Sequence, residues 1–424
     1  MKIINHLKGT FRSTPAYRPF LRHKAKRQEA MYLSLREQYY QQEPDLFSPP
    51  GYLQRSLALL KKRWDGPSCV KQFTQDVRLF VIDRPAIGGP WFESELQRNF
   101  DVVVFSITRH KLGFDRGQAN LVAFSSGVDM ADRSRPGYQL GNSWRPWRVQ
   151  LQKDLLMAIS KAHKKKAIDL CFAYGSYTDF IPETFVQIKA MGIPIVLMWL
   201  DDKHAYWERP LGFPNGQKPL IGTFDVHLTN SLECMRWYMA EGAPAFYFPQ
   251  GIDPELYRPM NLERSIPVSF VGQAYGIRFD LVRNLRRVGI PIQCFGSGWE
   301  NGVVNSQIEI YCRSRINLGI GATGHSRLMS CVKGRDFEVP ATGSLYLTSY
   351  DPELSRVFDI GKEILCYRNE IDCAEQIRYF LKRPDEAAAI GQAGRKRCLR
   401  EHTWKQRMEG LLKWMGILSS EVYV

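Results

Sequence analysis

The stretch VSFVGQAYGIR (268–278) places Gly272, Gly276 and Arg278 directly after an apolar, β-rich run. Glycines at such a turn let backbone N–H groups approach a phosphate, and an arginine adds a forked cationic donor. Against this stands the plain reading of a turn with a surface arginine. A second loop, GIGATGHSR (319–327), carries three glycines together with His325 and Ser326, the latter a candidate N-cap for a helix over 326–338. It can offer N–H groups to an anion or to hydroxyls, but no G-K-[ST] follows, so it is not a Walker A loop. On that helix Arg335 is either a phosphate partner or half of an ion pair with Asp336 or Glu338. In the first half of the chain, Asp201, Asp202 and His204 follow the apolar run PIVLMWL (194–200). Two adjacent aspartates can supply a general base to a hydroxyl; equally, they can cap a helix or form salt bridges. Gly88 and Gly89 follow the run VRLFVID (77–83), and Tyr174, Ser176 and Asp179 close IDLCFAY (168–174) and could wall a pocket.

Apart from Arg335 on its helix, these residues follow the carboxyl ends of short apolar runs, which fixes the architecture expected around them. VRLFVID, VVVF (102–105), IDLCFAY, PIVLMWL, FDVHL (224–228) and FYFP (246–249) alternate with helix-period segments such as WRVQLQKDLLMAISKAHKK (147–165). The pattern restarts with IPVSFVG (266–272), PIQCFG (291–296), INLGIG (316–321), SLYLTS (344–349) and EILCY (363–367), again separated by helices, and ends helical. Strands of four to seven residues alternating with helices predict an α/β fold of parallel, doubly wound sheets. There are two such series, joined by FYFPQGIDPELYRP (246–259), and open sheets of this kind bind ligands in the crevice beyond their strand ends. The expected division is a basic helical or irregular extension over 1–72, Rossmann-like units over 73–260 and 261–400, and a final helix over 401–424 that packs back on the first unit.

With 424 residues, 44% hydrophobic and 24% charged, the chain is long enough for two ordinary cores. No run of about 18 uninterrupted apolar residues occurs, and the N-terminus lacks an apolar signal core, so the expected location is cytoplasmic. The nine cysteines are scattered, with no C-x-x-C pair, which argues against disulfide or zinc frameworks. No H-E-x-x-H or EF-hand pattern occurs either, so no tightly held metal is expected. Of the net charge of +15, residues 1–40 contribute +7, from nine Lys/Arg against Glu29 and Glu37, interleaved with Phe11, Tyr17, Phe20 and Leu21. This suits an anionic surface such as the inner face of a membrane, or else a solvated tail. Zinc-finger, RNP1 and KH signatures are missing, so nucleic acid is not an expected partner.

Four of the quoted stretches, in their order and spacing, resemble GT-B glycosyltransferases. FPQGIDPELYRP is similar to their interdomain segment, VSFVGQAYGIR to the first strand and phosphate loop of their donor lobe, KGRDFEVPATGSLYLTS (333–349) to the donor-site helix and strand, and EHTWKQR (401–407) to the start of their C-terminal helix. The likeness is greatest to the CgeB-like group within the family 1/4-type enzymes and spans roughly 75–415. It implies two Rossmann-like lobes facing a cleft, a nucleotide-diphosphate sugar (UDP- or GDP-sugar) as co-substrate with no tightly bound cofactor, and transfer to a glycan, lipid-linked or protein acceptor, metal-independent and with retention. By the same resemblance Arg278 meets the diphosphate, Glu338 accepts from the ribose hydroxyls, and Gly88 and Gly89 approach the phosphates from the other lobe. Ser297, Gly298 and Trp299, after PIQCFG, are placed to meet the base, with Trp299 equally a packing residue, and His325 is either a donor-sugar contact or an incidental loop histidine. One departure stands out: many family 4 enzymes have a glutamate eight residues before the ribose-binding one, where this chain has Ser330. The competing expectation is therefore a catalytically inactive GT-B-like protein that binds nucleotide or glycan.

Overall fold

The computed structural model describes residues 17–42, 49–83, 92–107, 110, 144–177, 179–206, 216–323, 326 and 328–420. Two helices come first, α1 (Tyr17–Gln42) and α2 (Pro49–Leu60). The first lobe follows as β1 (Arg78–Asp83), α3 (Glu93–Asn99), β2 (Asp101–Ser106), α4 (Trp144–Lys165), β3 (Leu170–Tyr174), α5 (Pro182–Lys189), β4 (Ile195–Met198), α6 (Asp202–Ala205), β5 (Val226–Thr229), α7 (Leu232–Ala240) and β6 (Ala245–Tyr247). The second lobe is β7 (Ile266–Val271), α8 (Arg278–Arg287), β8 (Ile292–Phe295), α9 (Gln307–Arg313), β9 (Ser314–Leu318), α10 (Arg335–Ala341), β10 (Tyr346–Ser349), β11 (Leu365–Tyr367), α11 (Glu370–Leu381) and α12 (Pro384–Glu401). Helix α13 (Trp404–Trp414) ends the series.

Every strand pairing is parallel. The first sheet runs β2-β1-β3-β4-β5-β6 and the second β11-β10-β9-β7-β8. Burial on both faces explains why the strands read as continuous apolar runs. In β1, Leu79 and Val81 join a core with Phe172, Phe92 and Trp404, while Phe80 and Ile82 join another with Leu151, Leu155 and Ile159 of α4. The second sheet divides likewise: Val268 and Phe270 pack with Leu281 and Leu285 of α8, and Val271 packs with Phe337 and Val339 of α10.

The chain crosses between the lobes twice, and the two crossings are zipped together. Ile252 N–H donates to His402 O (2.9 Å), and Trp404 N–H donates to Ile252 O (3.1 Å). A Cβ at Gly251 would lie 2.7 Å from the Trp404 nitrogen, so only glycine lets the crossings run this close. Asp253, just beyond, is buried and accepts from Ser94 Oγ (2.9 Å), Arg98 Nη2 (2.6 Å) and Glu255 N (3.0 Å). The linker aspartate thus anchors α3 and has no position in the cleft. After the second crossing, Trp404, Met408, Leu411 and Leu412 of α13 complete the first lobe's core.

Helix α1 lies on the first lobe, where Tyr39 stacks on Trp237 (5.7 Å between ring centroids) and the Tyr32 hydroxyl donates to Glu233 (2.7 Å). Among the described residues, no helix is long and apolar enough to cross a membrane.

One expected element is shorter than its sequence pattern. A helix over 326–338 begins only at Arg335. The residues before it are pinned in extended form: Cys331 N–H bonds Gly321 O (3.3 Å), while Ser330 O and Val332 O accept from Lys203 Nζ and Asn230 Nδ2 of the other lobe (both 2.9 Å). Backbone carbonyls taken by another lobe cannot serve an i→i+4 ladder. Ser326 is accordingly no N-cap; its Oγ accepts from Leu328 N (2.9 Å) and donates to Glu29 of α1 (2.7 Å).

Candidate functional site

The carboxyl ends of β4 and β7 converge, with the segment before α10 between them. From the β7 side, the chain turns at Gly272 and Gly276, both at positive φ, into α8, whose first residue is Arg278. The Arg278 guanidinium donates to Gln273 O (2.9 Å) and lies 4.2 Å from the Tyr275 ring and 5.6 Å from that of Phe270. Arg335, at the start of α10, donates to Val271 O (2.8 Å) and reaches the same Phe270 ring at 5.4 Å. A Cβ at Gly272 would lie 2.6 Å from Arg335 Nη1, so this glycine makes room for the second guanidinium. The two arginines are therefore clamped around one phenylalanine. Nε of each is buried without a hydrogen-bond partner, a donor pair whose desolvation calls for an acceptor. Burial, with a smaller contribution from Arg335, brings the Arg278 pKa down to about 10, so it stays cationic at neutral pH.

Sequence reasoning missed the third cation. Lys333 Nζ donates to Thr323 Oγ1 (2.8 Å) and forms an ion pair with Asp201 Oδ1 across the cleft. Burial alone would depress its pKa, but Asp201 holds it above the ordinary lysine value. Its signal was present in the quoted KGRDFEVPATG, two residues before Arg335.

The two aspartates do not act together. Asp201, in left-handed backbone (φ 62°), keeps a side chain 40% exposed and accepts from Lys333 and from Cys331 Sγ (3.2 Å). Burial presses its pKa upward, yet Lys333 wins and holds it below the usual value. Asp202 is fully buried, accepts from Tyr238 OH (2.9 Å), and is pushed by desolvation to about 7. An acceptor hydroxyl cannot reach it, so the paired-aspartate expectation reduces to Asp201. His204 faces Gln28 of α1 instead (2.9 Å). Asp179 caps the Ser176 N–H (3.0 Å).

Glu338, one turn after Arg335, accepts from Tyr311 OH (3.2 Å); burial raises its pKa, opposed by Arg335 and by Tyr311 and Tyr257. A Cβ at Gly334 would come within 2.6 Å of Gln250 Oε1 and 2.9 Å of Glu338 Oε1, so the linker's Gln250 also reaches this corner. Ser297 O accepts from Ala274 N (2.9 Å), and Trp299 Nε1 donates to Gly272 O (2.9 Å), bracing the phosphate-loop candidate from behind. Gly298 and Trp299 line a separate hollow of about 490 Å³ beside α8, with Phe279, Arg283, Arg286 and Arg287. Ser330 Oγ donates to Asp351 (2.5 Å). Gly88, Gly89 and His325 lie outside the described residues.

The structure thus brings together Gly272, Gly276, Arg278, Arg335, Glu338 and Asp201, adds Lys333, and leaves Asp202, His204 and Ser326 elsewhere. Its charged groups are three cations, with Asp201, Glu338 and the buried Asp336 as the carboxylates beside them.

A sequence-family profile described as "Glycosyl transferase-like" matches residues 278–413, about a third of the chain, which takes in the three cations and the returning helix α13. No curated protein matches. Among solved structures, the Anabaena protein HepE in complex with UDP superposes with a TM-score of 0.50 at 10% identity, covering 80% of this chain and 98% of that one. Sucrose-phosphate synthase from Thermosynechococcus elongatus reaches 0.49 at 11% identity, with the same coverage. The fold is of the GT-B type. Two parallel-sheet, Rossmann-like lobes are what the match shows in common, and in this chain the cationic cluster lies where the two lobes meet.

Proposed function

We propose that this protein is a glycosyltransferase that moves a sugar from a nucleoside diphosphate sugar to an acceptor hydroxyl. The observation that carries the reading is the trio Arg278, Lys333 and Arg335, held at the mouth of the phosphate-loop candidate and facing Asp201. Breaking the bond between the anomeric carbon and the diphosphate leaves negative charge on the leaving oxygen, and preorganised cations in a water-poor site stabilise that charge as it grows. Three such side chains supply what a divalent ion would otherwise supply, which supports metal-independent transfer. Glu338 then serves the ribose hydroxyls, since a carboxylate can accept from two neighbouring O–H groups. The Anabaena neighbour in complex with UDP makes UDP the first nucleotide to try.

Retention of anomeric configuration and placement in the CgeB-like group are part of the same proposal, on the strength of the quoted motifs. Ser330, tied to Asp351, leaves the sugar contact to other groups. We assign the acceptor to glycans, lipid-linked glycans or proteins. Attachment to anionic membrane from the inner side rests on the basic residues 1–40. The described part of α1 is committed to the first lobe through Tyr32 and Tyr39, so the lipid-facing role falls to residues ahead of it. Liposome co-sedimentation should drop when those residues are removed; unchanged sedimentation refutes the attachment.

A thermal-shift screen against UDP, GDP, ADP, CMP and their sugar conjugates tests the function directly, since a ligand that binds only the folded chain raises its melting temperature. A selective shift that is lost in Arg278→Ala/Glu338→Ala is expected. Equal shifts in both proteins would remove the site assignment. Release of free nucleotide in the presence of acceptor separates a transferase from an inactive binder of the same fold.

A further inference from the structure

We infer that Asp201 is an intramolecular competitor of the donor diphosphate for Lys333, so that donor binding must break the Asp201–Lys333 tie between the lobes. The inference rests on the nucleotide-sugar reading above and adds a control to the same site.

Asp201 is the single non-glycine residue at positive φ among the described residues. A conformation costly for an aspartate persists when its surroundings over-determine it. Here the surroundings are two donors from the other lobe, the Lys333 ammonium and the Cys331 thiol, both converging on Oδ1. The tie does not stand alone. Lys203, two residues on, is buried, donates to Ser330 O (2.9 Å) and sits near Glu233 and Glu353 (3.6 and 3.8 Å). Glu353 in turn accepts from Ser231 Oγ and the Leu232 N–H of the first lobe (both 3.1 Å). Those contacts use neither Lys333 nor the two arginines, so they can keep the lobes together when the Asp201 tie goes. The Asp201 side chain, by contrast, is 40% exposed, whereas its neighbour Asp202 is fully buried and bonded to Tyr238.

Lys333 lies two residues before Arg335 and shares a neighbour with Arg278, since both interact with Tyr275. Arg278 feels both Arg335 and the Asp201 charge, so the carboxylate already lies within electrostatic range of the pocket that would take the diphosphate. A diphosphate carries more charge than a carboxylate and offers more acceptor oxygens to an ammonium and two guanidiniums. Both anions cannot hold the same ammonium. Each molecule of donor bound therefore displaces Asp201, and the first-lobe wall gains a free carboxylate only once donor is in place. That gives a donor-first order of binding at no cost in extra machinery.

Calorimetric titration of the full chain with UDP, GDP and ADP tests this. Asp201→Asn keeps the shape and suits left-handed backbone, but removes the competing charge. It should bind the preferred nucleoside diphosphate about tenfold tighter than the wild type. Lys333→Ala should bind more weakly, and adding Asp201→Asn to Lys333→Ala should bring no gain, because the gain works through the ammonium. Unchanged or weaker binding by a folded Asp201→Asn variant, or the same gain with Lys333 absent, overturns the competition. A purely structural role predicts a lower melting temperature without tighter binding. If wild type and Asp201→Asn alike bind none of the three nucleotides, the donor reading itself fails, which is a different outcome from a wild type that binds as well as the variant.

Discussion

The two lobes bring opposite kinds of group to the cleft, and they hold them in opposite ways. In the second lobe, Arg278 and Arg335 are positioned by their own lobe: each donates to a carbonyl of the β7 strand or the loop after it, and both flank Phe270. In the first lobe, the pKa values of two neighbouring aspartates are shifted in opposite directions, and what separates them is contact with the other lobe. Asp201 is held ionised by Lys333, while Asp202, buried beneath Tyr238, is pushed to about 7. One wall is prebuilt; the other is defined by what it touches.

The comparison breaks most readily at the cations. Removing Arg278 and Lys333 together should cost at least about 3 kcal/mol of nucleoside-diphosphate binding, more than a hundredfold, because each charge-assisted contact to a phosphate contributes about 1.5–3 kcal/mol. Asp202→Asn, on the other wall, should change that affinity less than threefold. Isothermal titration of both variants decides the matter: comparable losses would mean that the walls do not differ as described.

The asymmetry also explains what could be seen in the sequence. All eleven strands among the described residues stand where apolar runs marked them, since a doubly buried strand must be apolar along its length. Gly272, Gly276 and Arg278 were legible because a strand, a glycine turn and a helix start are consecutive in the chain. Lys333 and the fate of Asp202 were not. The first needs a partner 132 positions away, and the second depends on burial under Tyr238, 36 positions on. The helix expected over 326–338 failed for the same reason: its sequence suits a helix, but Lys203 and Asn230 of the other lobe take its carbonyls. Local pattern reads what neighbours in sequence build, and a cleft is built by residues that are not neighbours.

The next test concerns the joint that lets the two walls face each other. Gly251→Ala places a methyl carbon 2.7 Å from the Trp404 nitrogen. Backbone, unlike a side-chain tip, cannot swing away, so the double crossing has to separate. A loss of about 3 kcal/mol is expected, at the upper end for a single substitution, read as a lower denaturation midpoint. Gly410→Ala, where no atom lies within 4 Å of the added carbon and the backbone, as at Gly251, is not left-handed, controls for adding the methyl group alone. If the two variants lose the same stability, the crossing is not under steric constraint and the lobes owe their orientation to the Glu353 and Lys203 contacts.

The smallest effect is in the pH dependence, and it asks whether the returning helix α13 also sets the protonation of the first lobe. Glu95 is 3% exposed and accepts from the Trp404 N–H (2.9 Å) at the start of that helix. Burial raises its pKa to about 7, with the backbone donors at Lys405 and Trp404 opposing. The folded state therefore holds this proton more tightly than the unfolded chain does. Between the unfolded value of 4.5 and about 7 the native protein binds more protons, so its stability falls as pH rises through that window and levels off above it. The slope from one such group is at most about 1.4 kcal/mol per pH unit, and the N–H donors reduce it. Asp202, raised in the same direction, adds to the same fall. Glu95→Gln keeps an acceptor for Trp404 but cannot titrate, so its stability between pH 5 and 7 should decline less steeply than that of the wild type, by about 2 kcal/mol across the range. Urea unfolding at stepped pH measures both curves. Parallel curves would show that the acid beneath α13 is ionised in the native state, and that the helix's N–H groups, not burial, control it.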